Sequence, residues 1–95
     1  MRLQYCVYVL ISLKDRNLYV GYTTDLQERL TAHFHGDVAS TAPRRPFRLV
    51  YCEYHHAMSD AKRREEYLKT SAGKKALRLM LRDALAEFGH GNAPA

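Results

Sequence analysis

A chain of 95 residues, 46% of them hydrophobic, is expected to form one domain with a thin core, which excludes long insertions and a second site-bearing domain. Its longest apolar run, residues 5–11, falls far short of the roughly 20 residues that cross a bilayer. A formal net charge of +5 favours an anionic partner, and so short an apolar run leaves no membrane partner expected. Met1 to Tyr5 leads straight into the apolar run and carries no small-residue cleavage site, so no signal peptide is expected. Two cysteines, Cys6 and Cys52, sit in strand-like runs rather than in a CxxC, which suggests buried reduced thiols in a cytoplasmic protein.

Residues 5–11 (Tyr-Cys-Val-Tyr-Val-Leu-Ile) are β-branched and aromatic, a strand pattern. Polar residues 12–17 supply a turn, and residues 18–22 (Leu-Tyr-Val-Gly-Tyr) resume the strand, so the two pair as a hairpin. Thr24 with Gln27 has capping-box spacing, with Thr24 as N-cap. The helix that follows carries Leu26, Leu30 and either His33 or Phe34 inward and stops near Gly36. Residues 38–46, with two prolines and a Ser-Thr pair, form a loop. Residues 47–54 alternate as a third strand with Phe47, Leu49 and Tyr51 on one face. A helix then runs from about Ser59 to Thr70, Gly73 breaks it, and a last helix over residues 74–88 presents Leu77, Met80, Leu81, Ala84, Leu85 and Phe88. Residues 89–95 have nothing to bury and are expected to fray, leaving a domain over residues 1–88. The order β-β-α-β-α-α specifies a small α+β fold, a three-stranded antiparallel sheet flanked by helices.

Glu65 is the residue most out of place. It shares a 3/4-spaced stripe with Met58, Ala61, Leu68 and Ala72, all apolar or small, whereas Glu66 points away. A carboxylate held against a small basic protein serves a cation, a metal or a reaction, with an ion pair to Lys or Arg as the plain alternative. Tyr8 and Tyr19 fall on adjacent strands, and Gly21 follows Tyr19 on its own face. Glycine inside a strand marks close approach by a ligand or another backbone, or merely a bulge among ordinary strand aromatics. If the two tyrosines share a face, their hydroxyls are expected within roughly 6 Å of each other. Arg29 and His33 are i, i+4 neighbours, and Arg29 borders the buried stripe, suited to phosphate contact or to covering core with its stem. Eight of the fifteen Lys and Arg lie between residues 62 and 82, and Arg44, Arg45 and Arg48 form a second group. The two groups make one phosphate-facing surface if the fold joins them, and a solvated face otherwise. His33 with His35 and His55 with His56 lack the partners of a structural zinc site. Cys6, mid-strand, reads as core rather than as a nucleophile.

Cys6-Val7-Tyr8, Tyr19-Val20-Gly21, Leu26-x-x-Arg29 and Glu65 on a later helix together resemble the GIY-YIG nuclease superfamily. The residue runs 45–51 and 64–69 are similar to its small single-domain bacterial members, and the resemblance covers about residues 4 to 80. It implies a DNA endonuclease using a single Mg²⁺ or Mn²⁺ ion, with Tyr8 and Tyr19 as the two motif tyrosines, Arg29 on the phosphate and Glu65 as metal ligand. His33 matches a position where members carry Tyr or His. Cys6 replaces the first glycine, Phe34 stands where many small members have Asn, and no Asn follows Glu65 before Asn92. On this reading Tyr19 activates water, helped either by a nearby cation or metal-bound water that lowers its pKa or by His33 taking the proton onward, and Tyr8 holds the water or the phosphate. Arg44, Arg45, Arg48, Lys69, Lys74 and Lys75 bind the DNA backbone, with branched or damaged DNA among the candidate substrates. The rival readings are a non-catalytic nucleic-acid-binding domain and a nuclease module that needs a partner protein.

Overall fold

A computed structural model describes residues 3–88, so the segment expected to fray lies outside the described residues. Strand β1 (Tyr5–Ser12) is central, with β2 (Leu18–Thr23) and β3 (Phe47–His55) antiparallel on either side in the order β2-β1-β3. Every residue from Cys6 to Ser12 is buried, because helices cover both faces of this strand. That is why β1 reads as a continuous apolar run and not as an alternation.

On one face Cys6, Tyr8, Leu10 and Phe47 form a cluster that Tyr19, Leu26 and Leu30 complete, which places α1 (Leu26–His35) over it. On the other, Val7, Val9, Ile11, Leu18 and Val20 pack against Ala61 and Leu68 of α2 (Met58–Lys69), Leu77 of α3 (Ser71–Met80) and Leu85 of α4 (Arg82–Glu87). Val9 pairs with Tyr51 but Leu10 with Leu49, so Val50 is the extra residue of a β-bulge. The bulge turns Tyr51 to the α2 face while Phe47 and Leu49 keep the α1 face, contrary to the simple alternation. Cys52 is exposed, not buried as expected. It lies on an edge strand from which the cluster under α1 takes only Phe47.

The caps differ from the sequence expectation. Asp25, not Thr24, is the N-cap of α1: its carboxylate accepts from the Glu28 N–H at 3.0 Å, while Thr23 Oγ1 accepts from the Asp25 N–H. The Asp25-x-x-Glu28 spacing repeats the capping pattern one residue later, and an ionised cap accepts more strongly than a hydroxyl. Gly36, at φ 85°, closes the helix. Gly73 breaks nothing. Thr70 ends α2 and caps α3 by accepting from the Gly73 N–H at 3.0 Å, and a Cβ at Gly73 would stand 2.1 Å from the Tyr67 carbonyl oxygen. The expected last helix is two, α3 and α4, with the turn at Leu81. That turn leaves Met80 exposed while Leu85 is buried. Along α2, Ala61 and Leu68 are buried, whereas Met58 is exposed and Ala72 already belongs to α3.

Candidate active site

Residues 6, 8 and 10 of β1 share the α1 face with residues 19, 21 and 23 of β2, because Leu10 pairs with Tyr19 and Tyr8 with Gly21. Tyr8 and Tyr19 are therefore diagonal neighbours on one face, with ring centroids 6.4 Å apart. A Cβ on Gly21 would lie 2.3 Å from the Tyr8 hydroxyl oxygen. The close approach signalled by this glycine is the Tyr8 ring itself, not a ligand or another backbone. α1 brings His33 down onto the pair, its Nε2 2.7 Å from the Tyr8 hydroxyl and its ring edge-on to Tyr19 at 5.2 Å. Phe34, the other candidate for the inward position, is exposed.

Thr41, in the loop before β3, was not expected at the site. Its hydroxyl lies 2.8 Å from His33 Nδ1 and donates its only proton to the Val38 carbonyl at 3.3 Å. With that proton engaged, the hydroxyl is assigned as acceptor of Nδ1–H, which makes Nε2 the acceptor for the Tyr8 O–H. Burial, and then the charge of Arg29, hold His33 below its ordinary pKa, so the imidazole is neutral at pH 7. Burial pushes Tyr8 up to about 12 against the opposing pull of Arg29, so its phenol keeps its proton at neutral pH. Tyr8, His33 and Thr41 thus form a buried, directional chain of hydrogen bonds. A buried imidazole has two nitrogens to satisfy, which was the available sign that a hydroxyl from residues 38–46 would be needed.

Arg29, one helical turn before His33, has its guanidinium beside both phenols and pulls the Tyr8 pKa down against burial. Glu65 comes from the opposite side of the sheet. α2 runs along β2, and the Glu65 carboxylate stands near enough to Tyr22 and Tyr8 for its charge to raise both phenol pKa values, after burial. Its oxygens meet Lys69 Nζ at 3.0 Å and Lys62 Nζ at 3.9 Å, and Lys62 also lies over the Tyr22 ring. Among the described residues no three of His, Cys, Asp and Glu group as metal ligands. A single carboxylate suits a hard cation that retains water and takes a phosphate oxygen.

Of the basic residues, Arg44 pairs with Asp15 at 2.9 Å, and Lys74 and Arg78 reach backbone carbonyls of Leu18 and Arg16. The two basic segments therefore meet across the β1–β2 turn. Lys69 turns to Glu65, and Lys75 is exposed. Arg45 and Arg48 flank the C-terminal end of α1 and the start of β3. His35 and His56 are exposed and His55 bonds Glu53. Burial and the neighbouring Cys52 push the Cys6 thiol up to about 11, so it is not a nucleophile at neutral pH.

The family model described as the GIY-YIG catalytic domain matches residues 4–78. UPF0213 proteins of Staphylococcus saprophyticus and Staphylococcus haemolyticus are 39% and 40% identical to the chain. These matches cover 75% and 78% of this chain and 88% and 90% of theirs. The solution NMR structure of a UPF0213 protein from Bacillus halodurans superposes with a TM-score of 0.52 at 34% identity, over 80% of this chain and 83% of that one.

Proposed function

The chain belongs to the GIY-YIG family, and on that premise we propose that it is a cytoplasmic, divalent-metal-dependent endonuclease that hydrolyses DNA phosphodiester bonds. The observation that carries this reading is the chain Tyr8–His33–Thr41 set beside the Arg29 guanidinium. Phosphodiester hydrolysis needs a proton taken from water and charge met on the phosphate. The Tyr8 hydroxyl oxygen takes the proton of the attacking water as its own proton passes to His33 Nε2, and Thr41 keeps the imidazole in the tautomer that receives it. Arg29 neutralises the phosphate oxygens as negative charge gathers on them. Tyr19 has no hydrogen bond to His33, so its hydroxyl is available to orient water or phosphate.

Glu65 would hold a single Mg²⁺ or Mn²⁺ after releasing Lys69, and such an ion lowers the pKa of water and screens phosphate charge. Arg44, Arg45, Arg48, Lys69, Lys74 and Lys75 supply backbone contacts. Arg45, Arg48, Lys74 and Lys75 have no carboxylate partner among the described residues.

The test is purified protein with end-labelled duplex, branched and single-stranded DNA, with Mg²⁺, with Mn²⁺ and with EDTA. Cleavage that needs the metal and disappears in Tyr8→Phe and Glu65→Gln is expected. Binding without cleavage of any substrate in either metal would overturn the reading in favour of a non-catalytic binding domain.

A further inference from the structure

Consecutive residues on a helix point about 100° apart, so the turn of α1 that buries His33 drives Phe34 outward. Phe34 is 44% exposed. It lines a cavity of about 470 Å³ with Ala42, Arg45, Pro46, Phe47 and Arg48, a size that takes a small organic group. The walls are apolar and the rim is cationic. Phe47 is common to both places, since it lines the cavity and its ring lies 6.4 Å from the His33 ring.

The two arginines each bond a nearby backbone carbonyl and meet no carboxylate among the described residues. Arg45 Nε donates to the Ala42 carbonyl at 3.0 Å, and the guanidinium packs over Gly36 where a Cβ would come within 2.6 Å of it. Arg48 Nη1 donates to the Phe47 carbonyl at 3.3 Å. Neither has a carboxylate partner among the described residues, whereas neighbouring Arg44 is taken by Asp15. An exposed phenyl group and two arginines without a carboxylate partner, lining one cavity, are complementary to a flat ring that carries an anion. A nucleotide has both, but a base inside a duplex is stacked on both faces and cannot offer either to a protein ring.

We propose that this cavity holds the base of one unpaired nucleotide near the scissile phosphate, stacked on Phe34 with its phosphate on Arg45 and Arg48. The substrate is then nucleic acid with a single-stranded segment. This rests on the nuclease reading for its purpose, but base capture can be read without cleavage.

Fluorescence anisotropy in EDTA measures affinity for single-stranded DNA, single-stranded RNA and a blunt duplex. Phe34→Ala is expected to weaken single-strand binding by about 5- to 150-fold, the span of one lost stacking contact, and to leave duplex binding unchanged. Phe34→Trp should restore it. Tyr67→Ala removes another exposed aromatic, on α2, and should change nothing. A loss in the DNA arm, the RNA arm or both supports the pocket and tells which strand fills it. Equal effects of Phe34→Ala on single strand and duplex, or none on either, overturn the proposal and leave the cavity to a protein segment. The two readings fail separately: selective capture without cleavage in any metal sinks the nuclease and spares the pocket. Cleavage with no dependence on Phe34 does the reverse.

Discussion

Glu65→Gln separates a metal ligand from a structural ion pair. The substitution keeps the shape of the side chain and removes its charge. Both partners, Lys62 and Lys69, are more than half exposed, at 55% and 52%, although Glu65 itself is only 14% exposed. Same-helix pairs of this kind contribute about 0.3–0.5 kcal/mol each, so the two together contribute at most about 1 kcal/mol. A domain of this size shifts its melting temperature by roughly 4–8 °C per kcal/mol, so the variant should melt no more than about 8 °C below the parent. If Glu65 holds the ion, cleavage should fall at least ~100-fold, the scale of losing one transition-state electrostatic element. DNA affinity in EDTA should hold or rise, since a negative charge has gone. Melting, cleavage and anisotropy on a single preparation decide the matter. A folded Gln variant with parental cleavage refutes the metal role, and Glu66→Gln, on the exposed side, should alter none of the three readings.

Tyr8→Phe removes the hydroxyl that bonds His33 Nε2, and cleavage should fall about 10²–10⁴-fold while single-strand affinity is retained. Gly21→Ala should cost a comparable loss through displacement of the Tyr8 ring, visible as a changed His33 imidazole signal by NMR. Thr41→Val strands the buried Nδ1–H and should destabilise the fold by about 1–3 kcal/mol in urea melts. His33 also fixes a pH dependence. The folded imidazole protonates below the unfolded value of about 6.5, so the unfolded state binds more protons between the two; stability is full above about pH 6.5 and declines as pH falls toward the folded pKa. If Arg45, Arg48, Lys74 and Lys75 meet phosphates, log K should fall against log salt with a slope near about −4, and Lys74→Glu with Lys75→Glu should reduce that slope by about 2.

The strands and helices were legible because each is a local pattern: β1 in its apolar run, α1 in its 3/4 spacing, the hairpin in its polar turn. What sequence concealed depends on contacts between distant residues. The bulge at Val50 is set by pairing to β1, and nothing in the run Phe47-Arg48-Leu49-Val50-Tyr51 marks it. Gly73 looked like a helix breaker because glycine usually is one, yet its reason is the Tyr67 carbonyl that α2 sets against it. Tyr8, Tyr19, Arg29 and His33 were each singled out and the fold brings them together, whereas Thr41 enters only through a loop whose path no periodicity dictates. Glu65 was singled out for its buried stripe, but that stripe is shorter than its spacing implied, and two lysines meet the carboxylate.

The main revision concerns which tyrosine is joined to the histidine. One of the two expected routes ran from Tyr19 through His33, the other through a cation or metal-bound water beside Tyr19. His33 has one acceptor nitrogen, because Thr41 engages the other, and the Tyr8 hydroxyl occupies it. Tyr19 meets the imidazole only ring to edge. A proton on Tyr19 therefore has no direct route to His33, and on the proposed reading the relay belongs to Tyr8. Cys6 in place of the first glycine fits the same arrangement. Its side chain is buried with Leu26 and Leu30 under α1, two residues before Tyr8 on the same face, so it adds to the packing that holds the Tyr8 strand against the helix carrying His33. The departure at Cys6 thus falls on support for the relay and not on a reacting atom. The departure at Phe34 falls on the open side of the same helix, and on the proposed reading it bears on what the site can hold and not on the proton path.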